Sequence, residues 1–178
     1  MMATKATGPR KKAADPVSQF ETGCKKAGIT HEVGKQAVEA AYSSHIDAIN
    51  GKFTHSVDLD KHFKPSEPES PRWDYGLGVR FSNGVEVAVW IEPHPASSTG
   101  EVNSMLAKLG WLKKKLDSPS FSELRDLRDA AGRLGVNPYR WQVTQTGDNR
   151  ITAQSKEARM LAKAGLEMPS RHIKLKLK

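Results

Sequence analysis

The sequence is short of the features that would decide its chemistry quickly. It contains one cysteine, Cys24, which excludes an internal disulfide and any zinc site built from several thiolates. No apolar run approaches the roughly 20 residues that a membrane helix needs. The longest, Val85–Ile91, is interrupted by Glu86. The opening residues MMATKATGPRKK carry charge without an apolar stretch, so no secretory signal is expected. Glycine-rich phosphate loops of the G-x-G-x-x-G or Walker type are missing, as is a G-x-S-x-G nucleophile turn. These absences lead us to expect a soluble, cytoplasmic protein without nucleotide-loop or serine-hydrolase chemistry.

What is present is charge, unevenly placed. The chain has 178 residues and a net charge of +8. Residues 1–28 carry Lys5, Arg10, Lys11, Lys12, Lys25 and Lys26 against Asp15 and Glu21. Residues 171–178 carry Arg171, Lys174, Lys176 and Lys178 with no acid. The body between the ends is neutral, with acids in excess over 29–92 and bases in excess over 93–170. Basic ends attract polyanions by counterion release without reading sequence, and an acidic half beside a basic half can hold a cation next to a phosphate. The expected organisation is a basic flexible arm over 1–28, then one domain over 29–178 that ends in a basic strand.

Several elements can be read from spacing. Thr30 and Asn50-Gly51 bracket a helix over 31–50, with Val38, Tyr42, His45 or Ile46, and Ile49 on one face. A first strand is expected over 52–60, followed by a loop that three prolines keep out of any ladder. Trp73–Phe81 and Val85–Ile91, joined through Ser82-Asn83-Gly84, read as a hairpin. Val102, Met105 or Leu106, Leu109, Leu112 and Leu116 mark a helix from about residue 100 to 116. A short helix near 121–134, a strand over 139–144, a turn at 146–149, a short strand at 150–153 and a helix over 155–164 follow. Over 171–178, Ile173, Leu175 and Leu177 alternate with Lys174, Lys176 and Lys178, a strand pattern with lysines on its open side. The order predicts a mixed α/β domain.

The hairpin also brings chemistry together. Its strands are antiparallel neighbours, so Asp74 at the start of one lies beside Glu92 at the end of the next, with His94 two residues on and facing the same way. Two carboxylates on one sheet rim can hold Mg²⁺ or Mn²⁺, and such an ion can activate water toward a phosphodiester; an ordinary exposed rim is the competing reading. A second cluster, His55, Asp58, Asp60 and His62, reads as an exposed edge strand, the alternative being that Asp58 or Asp60 adds to that rim. Trp73 beside Arg72 is placed to stack on a base, and the tryptophans otherwise suit the core.

Asp74, a hairpin, then Glu92-x-His94 at the end of an apolar strand feeding a helix resembles the PD-(D/E)XK core of the restriction-endonuclease-like nucleases, over about two thirds of the chain. The resemblance implies an αβββαβ core with a mixed central sheet flanked by helices, and a metal-dependent nuclease acting on DNA more than RNA. It casts Asp74 and Glu92 as ligands of Mg²⁺ or Mn²⁺, with Glu39 as an added acidic residue from the first helix. His94 stands where the family has lysine. In some members that lysine moves to the following helix, where Lys108 is the candidate; it sits one position off the apolar stripe, and solvent is the ordinary place for such a lysine. Arg72, Trp73, Lys113, Lys114, Lys115 and the basic ends are the expected nucleic-acid contacts. Many nucleases of this fold dimerise, so a homodimer or another protein partner is a further expectation. The substitution of His94 also admits a catalytically inactive relative that binds nucleic acid or a protein. A small RNA-associated protein rests on the basic ends alone.

Overall fold

A computed structural model of the chain describes residues 15–144 and 149–178. Helix α1 (Gln19–Ala27) opens the fold. Ser18 caps its N-terminus by accepting a hydrogen bond from Glu21 N, and Gly28 closes it in the left-handed conformation at φ 69°. Phe20 and Cys24, one helical turn apart, are fully buried. The expected arm over 1–28 is therefore too long: residues from Ser18 onward belong to the core, and residues 1–14 lie outside the described part.

The helix expected over 31–50 is also corrected. That stretch forms β1 (Glu32–Val33), a single turn of helix α2 (Ala40–Ser43) and β2 (Ile46–Ala48). Gly34 adopts φ 60° and ends any helical path from residue 31. The apolar spacing was real for Val38 and Ile46, which are buried, but Ile49 is exposed.

β3 (Gly51–Asp58) leads into the short helix α3 (Leu59–Phe63), capped by Asp58, whose Oδ1 accepts from Lys61 N at 2.8 Å. β4 (Tyr75–Phe81) and β5 (Glu86–His94) form the expected hairpin. Its turn differs from a two-residue loop: Gly84 N donates to Phe81 O, and only Gly84 takes positive φ. This is the three-residue connection with a left-handed glycine at the end. Helix α4 (Glu101–Leu116) follows, then α5 (Ser122–Arg133), β6 (Tyr139–Val143), α6 (Lys156–Ala164) and β7 (Ile173–Leu175). The short strand expected at 150–153 does not form; Asn149 Oδ1 accepts from Ile151 N instead, a local turn that competes with a ladder. The turn expected at 146–149 falls largely outside the described residues.

Five strands make one sheet in the order β1-β3-β4-β5-β6, antiparallel up to β5 and parallel between β5 and β6. β2 and β7 pair in parallel as a separate two-stranded sheet. The protein is thus a mixed α/β fold with a mixed sheet flanked by helices. No helix among the described residues is long and apolar enough to cross a membrane.

Strand alternation divides β5 between two cores. Ala88 and Trp90 pack in one cluster with Phe20, Met105, Leu109, Leu112 and Leu161. Val87, Val89 and Ile91 join Val38, Ile46, Ile173 and Leu175 in the other. On the first face, β4 contributes Gly76 and Gly78. A Cβ at Gly76 would stand 2.4 Å from the Trp90 ring, and one at Gly78 would stand 2.6 Å from Phe20. These glycines let Trp90 and α1 lie directly on the sheet. By the same alternation Glu92 falls on the face covered by α4.

Candidate active site

Asp74 is held at its place by its own backbone. The loop before β4 is tied down by Arg72, whose Nε donates to Asp60 Oδ1 at 2.8 Å and whose Nη1 donates to the carbonyls of Glu67, Pro68 and Ser70. Leu59 N donates to the Asp74 carbonyl at 2.7 Å. The pairing of Tyr75 with Ile91 then sets Asp74 beside Glu92. Glu92 is completely buried, and its Oε2 accepts from Asp74 N at 2.8 Å. Its Oε1 accepts from Lys108 Nζ, which also lies 3.5 Å from Asp74 Oδ1. The expected pair of carboxylates is therefore assembled, and a lysine from α4 closes it.

The electrostatics follow from burial. Loss of solvent pushes Glu92 up to about 8, and the charge of Asp74 adds to this; Lys108 and the Asp74 amide oppose it. Burial raises Asp74 as well, countered by Lys108 and reinforced by Asp60 and Asp58. Burial works against the Lys108 ammonium, but the charges of Glu92 and Asp74 more than offset it and hold the lysine charged. With both acids ionised the cluster carries one negative charge in excess.

His94 is placed elsewhere. Its Nε2 pairs with Glu101 Oε2 at 2.7 Å, and its carbonyl accepts from Trp141 Nε1 at 2.9 Å. It makes no hydrogen bond to Asp74 or Glu92. Glu101 and Lys108 are two turns apart on one face of α4, so the helix offers Glu101 to His94 and Lys108 to Glu92. Spacing alone did not single out Glu101; its seven-residue separation from Lys108 was the available signal. Glu39 is exposed beside α2, not on the first helix, and forms no ion pair with the cluster. Its charge acts on Asp58, Tyr42 and Tyr75.

The second sequence cluster is split apart. Asp58 and Asp60 lie within electrostatic reach of Asp74, but the chain turns into α3 at this point, so no continuous strand aligns them with His62. His62 packs edge-on against Phe63. His55 lies 3.7 Å from Glu21 and stacks edge-on with His31.

The expected nucleic-acid contacts fare less well. Trp73 is fully buried and cannot stack on a base. Arg72 is engaged by the loop it clamps. Lys113 donates to Ala164 O at 2.6 Å and burial lowers its pKa. Lys115 pairs with Glu67 and lies over Phe63, 4.3 Å from the ring centre. Lys114 is the exposed member of the three. Cys24 is buried and its thiol is pushed up to about 12, which leaves it inert.

Among the described residues no group of three or more His, Cys, Asp or Glu is placed to hold a metal ion; Asp74 and Glu92 are two. That donor set still suits a hard divalent ion, because Mg²⁺ keeps several waters and commonly takes only one or two protein carboxylates. With both ionised, the excess negative charge on a buried glutamate and a partly exposed aspartate is what such a cation would balance. Comparison of the chain with protein-family models, curated protein sequences and solved structures gives no match.

Proposed function

We propose that the chain is a metal-dependent phosphodiesterase acting on DNA, built on a restriction-endonuclease-like core. The observation that carries this reading is the convergence of Asp74, Glu92 and Lys108, from the start of one strand, the end of its hairpin partner and the helix that follows. The element order supports it: α1, the antiparallel run β3-β4-β5, helix α4, and β6 parallel to β5 trace an αβββαβ path.

In this reading Asp74 and Glu92 hold Mg²⁺ or Mn²⁺ through carboxylate oxygens. The ion, when bound, lowers the pKa of a coordinated water and draws charge from the phosphate. Lys108 takes the part the resemblance first gave to His94. Its ammonium opposes the burial that raises Glu92 and stands where negative charge grows on the phosphate oxygens. The side chains of Asp74 and Lys108 are partly exposed, and nearby Asp58 lines a cleft of about 420 Å³ with Thr30, Gln36 and His62.

A second reading draws on one observation. A carboxyl pushed up to about 8 holds its proton at neutral pH, and a protonated Glu92 paired with Lys108 is a self-contained cluster that needs no metal. The chain would then be an inactive nuclease-fold module that binds nucleic acid or a protein. Calorimetric titration of Mn²⁺ separates the two. The nuclease reading expects binding by the wild type that is lost in both Asp74→Ala and Glu92→Gln. Folded wild-type protein that binds no Mn²⁺, or variants that bind it unchanged, would establish the second reading.

A further inference from the structure

The basic C-terminal segment forms a cleft distant in kind from the carboxylate cluster. Ile173 and Leu175 are buried and anchor β7 against the second core, which leaves Lys174, Lys176 and Lys178 exposed at every second position. Lys178 N bonds to Leu134 O, and its side chain lies over Gly135, where any added Cβ would be 2.8 Å from it. The segment therefore lies flat along the fold and walls a cavity of about 460 Å³ with Asn137, Arg140 and Glu167. Strand alternation puts Arg140 on the sheet face opposite Glu92, because its neighbour Trp141 is the residue in register with Glu92.

Arg140 is the informative member. Its side chain is only 13% exposed, burial lowers its pKa, and its one ion pair is with Glu167 at 2.8 Å. A guanidinium has five N–H donors, so most of them have no partner among the described residues. Four cations line the cleft against one acid, Glu167; Asp47 also faces Lys174 across the β2–β7 register. Alternate residues of an extended chain repeat at roughly 6.6 Å. Phosphates of a DNA strand advance about 3.4 Å each along the helix axis. Phosphates also wind about that axis, so neighbours on a strand stand farther apart than the rise alone, and the lysine repeat is on the scale of successive phosphates.

We propose that this cleft binds the phosphate backbone of a nucleic-acid strand, with Lys174, Lys176 and Lys178 tracking the backbone and Arg140 gripping one phosphate at its wall. This surface is separate from the carboxylate site and stands whether or not that site cleaves DNA. It also replaces Lys113 and Lys115, whose ammonium groups are committed inside the fold. Backbone contacts do not read bases, so DNA and RNA of any sequence share the site.

The test is anisotropy of labelled duplex DNA and of RNA of the same sequence in EDTA, titrated from about 50 to 200 mM salt. The proteins compared are wild type, Lys174→Glu/Lys176→Glu and the milder Lys174→Gln/Lys176→Gln. Lys156→Glu/Lys163→Glu on α6 serves as a charge-matched control. Losing two phosphate contacts should weaken duplex binding at least tenfold and flatten the slope of log K against log salt by about 1.8. The Gln pair should flatten it equally, and the control should leave it unchanged. A slope that stays the same in the Lys174/Lys176 variants, an equal loss in the control, or no binding by wild type at low salt would overturn the proposal. EDTA keeps the test independent of metal binding and cleavage.

Discussion

Lys108 and Glu92 form one unit across the helix–sheet boundary: the ammonium donates to Oε1 of a completely buried carboxylate whose other oxygen accepts the Asp74 amide at 2.8 Å. Burying an acid with one cation and one N–H for company is costly, and fold stability alone would be better served by an apolar residue. A group kept at that cost, at a rim beside a second acid, is the feature on which the proposed chemistry rests.

Glu92→Gln should therefore give a more stable but metal-blind protein. An ordinary glutamate, as in the unfolded chain, titrates near 4.5, whereas in the fold Glu92 titrates at about 8. Between those values the native state keeps a proton the unfolded state has lost. Stability from neutral Glu92 is thus fully present below the unfolded value and is lost as pH rises through the folded one. The variant should lack this decline and exceed wild type above pH 8 by up to about 5 kcal/mol, since one pKa unit is worth about 1.4 kcal/mol and the shift to about 8 already includes the opposing Lys108. Urea unfolding across pH measures both curves; parallel curves would contradict the burial argument.

Glu86 should behave in the opposite sense. Burial would raise it, but Thr54 Oγ1 at 2.5 Å, Ser18 Oγ at 2.7 Å, Gln19 N and Arg80 at 2.8 Å all donate to it, and its pKa is lowered. Its contribution is present above the unfolded value of about 4.5 and is lost as pH falls through the depressed folded value. Glu86→Ala leaves Arg80 without its carboxylate and should cost about 3 kcal/mol at neutral pH, read as a lower urea midpoint. A loss that persists unchanged below pH 4 would argue for packing as the cause.

Gly76→Ala should be among the most damaging single changes outside the site. The new methyl meets the Trp90 ring at 2.4–2.7 Å and Val57 at 2.9 Å, and neither neighbour is free to move. Overpacking of this kind costs about 1–3 kcal/mol or more. Thermal unfolding should show a clear drop in Tm, whereas Gly110→Ala, with open space around it, should be neutral or stabilising.

The sequence carried the hairpin, and with it the Asp74–Glu92 juxtaposition, because Asn83-Gly84 fixes which residues face each other. It carried α4, α6 and the alternation of β7 for the same reason: local periodicity and caps decide them. Helix α1 escaped because Phe20 and Cys24 are its only large buried side chains and lysines surround them, although Ser18, Glu21 and Gly28 marked both ends. The helix read over 31–50 rested on true apolar spacing that Gly34 and tertiary pairing overrode. Lys108 was legible as an angle on a helical wheel and not as a contact, since its partner depends on how α4 crosses β5. Trp73 read as a tryptophan that could stack on a base because it stands beside Arg72 and Asp74, and the direction of its side chain is set by packing alone.

The most direct test of the central claim is the rate of DNA phosphodiester cleavage with Mg²⁺ in Lys108→Met beside His94→Gln. Losing one charge-stabilising group at a reacting phosphate costs about 10²–10³ in rate. We predict that loss for Lys108→Met, with His94→Gln reduced only a few-fold because its imidazole is turned to Glu101. Cleavage that survives Lys108→Met and disappears in His94→Gln, or wild-type protein that folds and cleaves no DNA, would contradict the account.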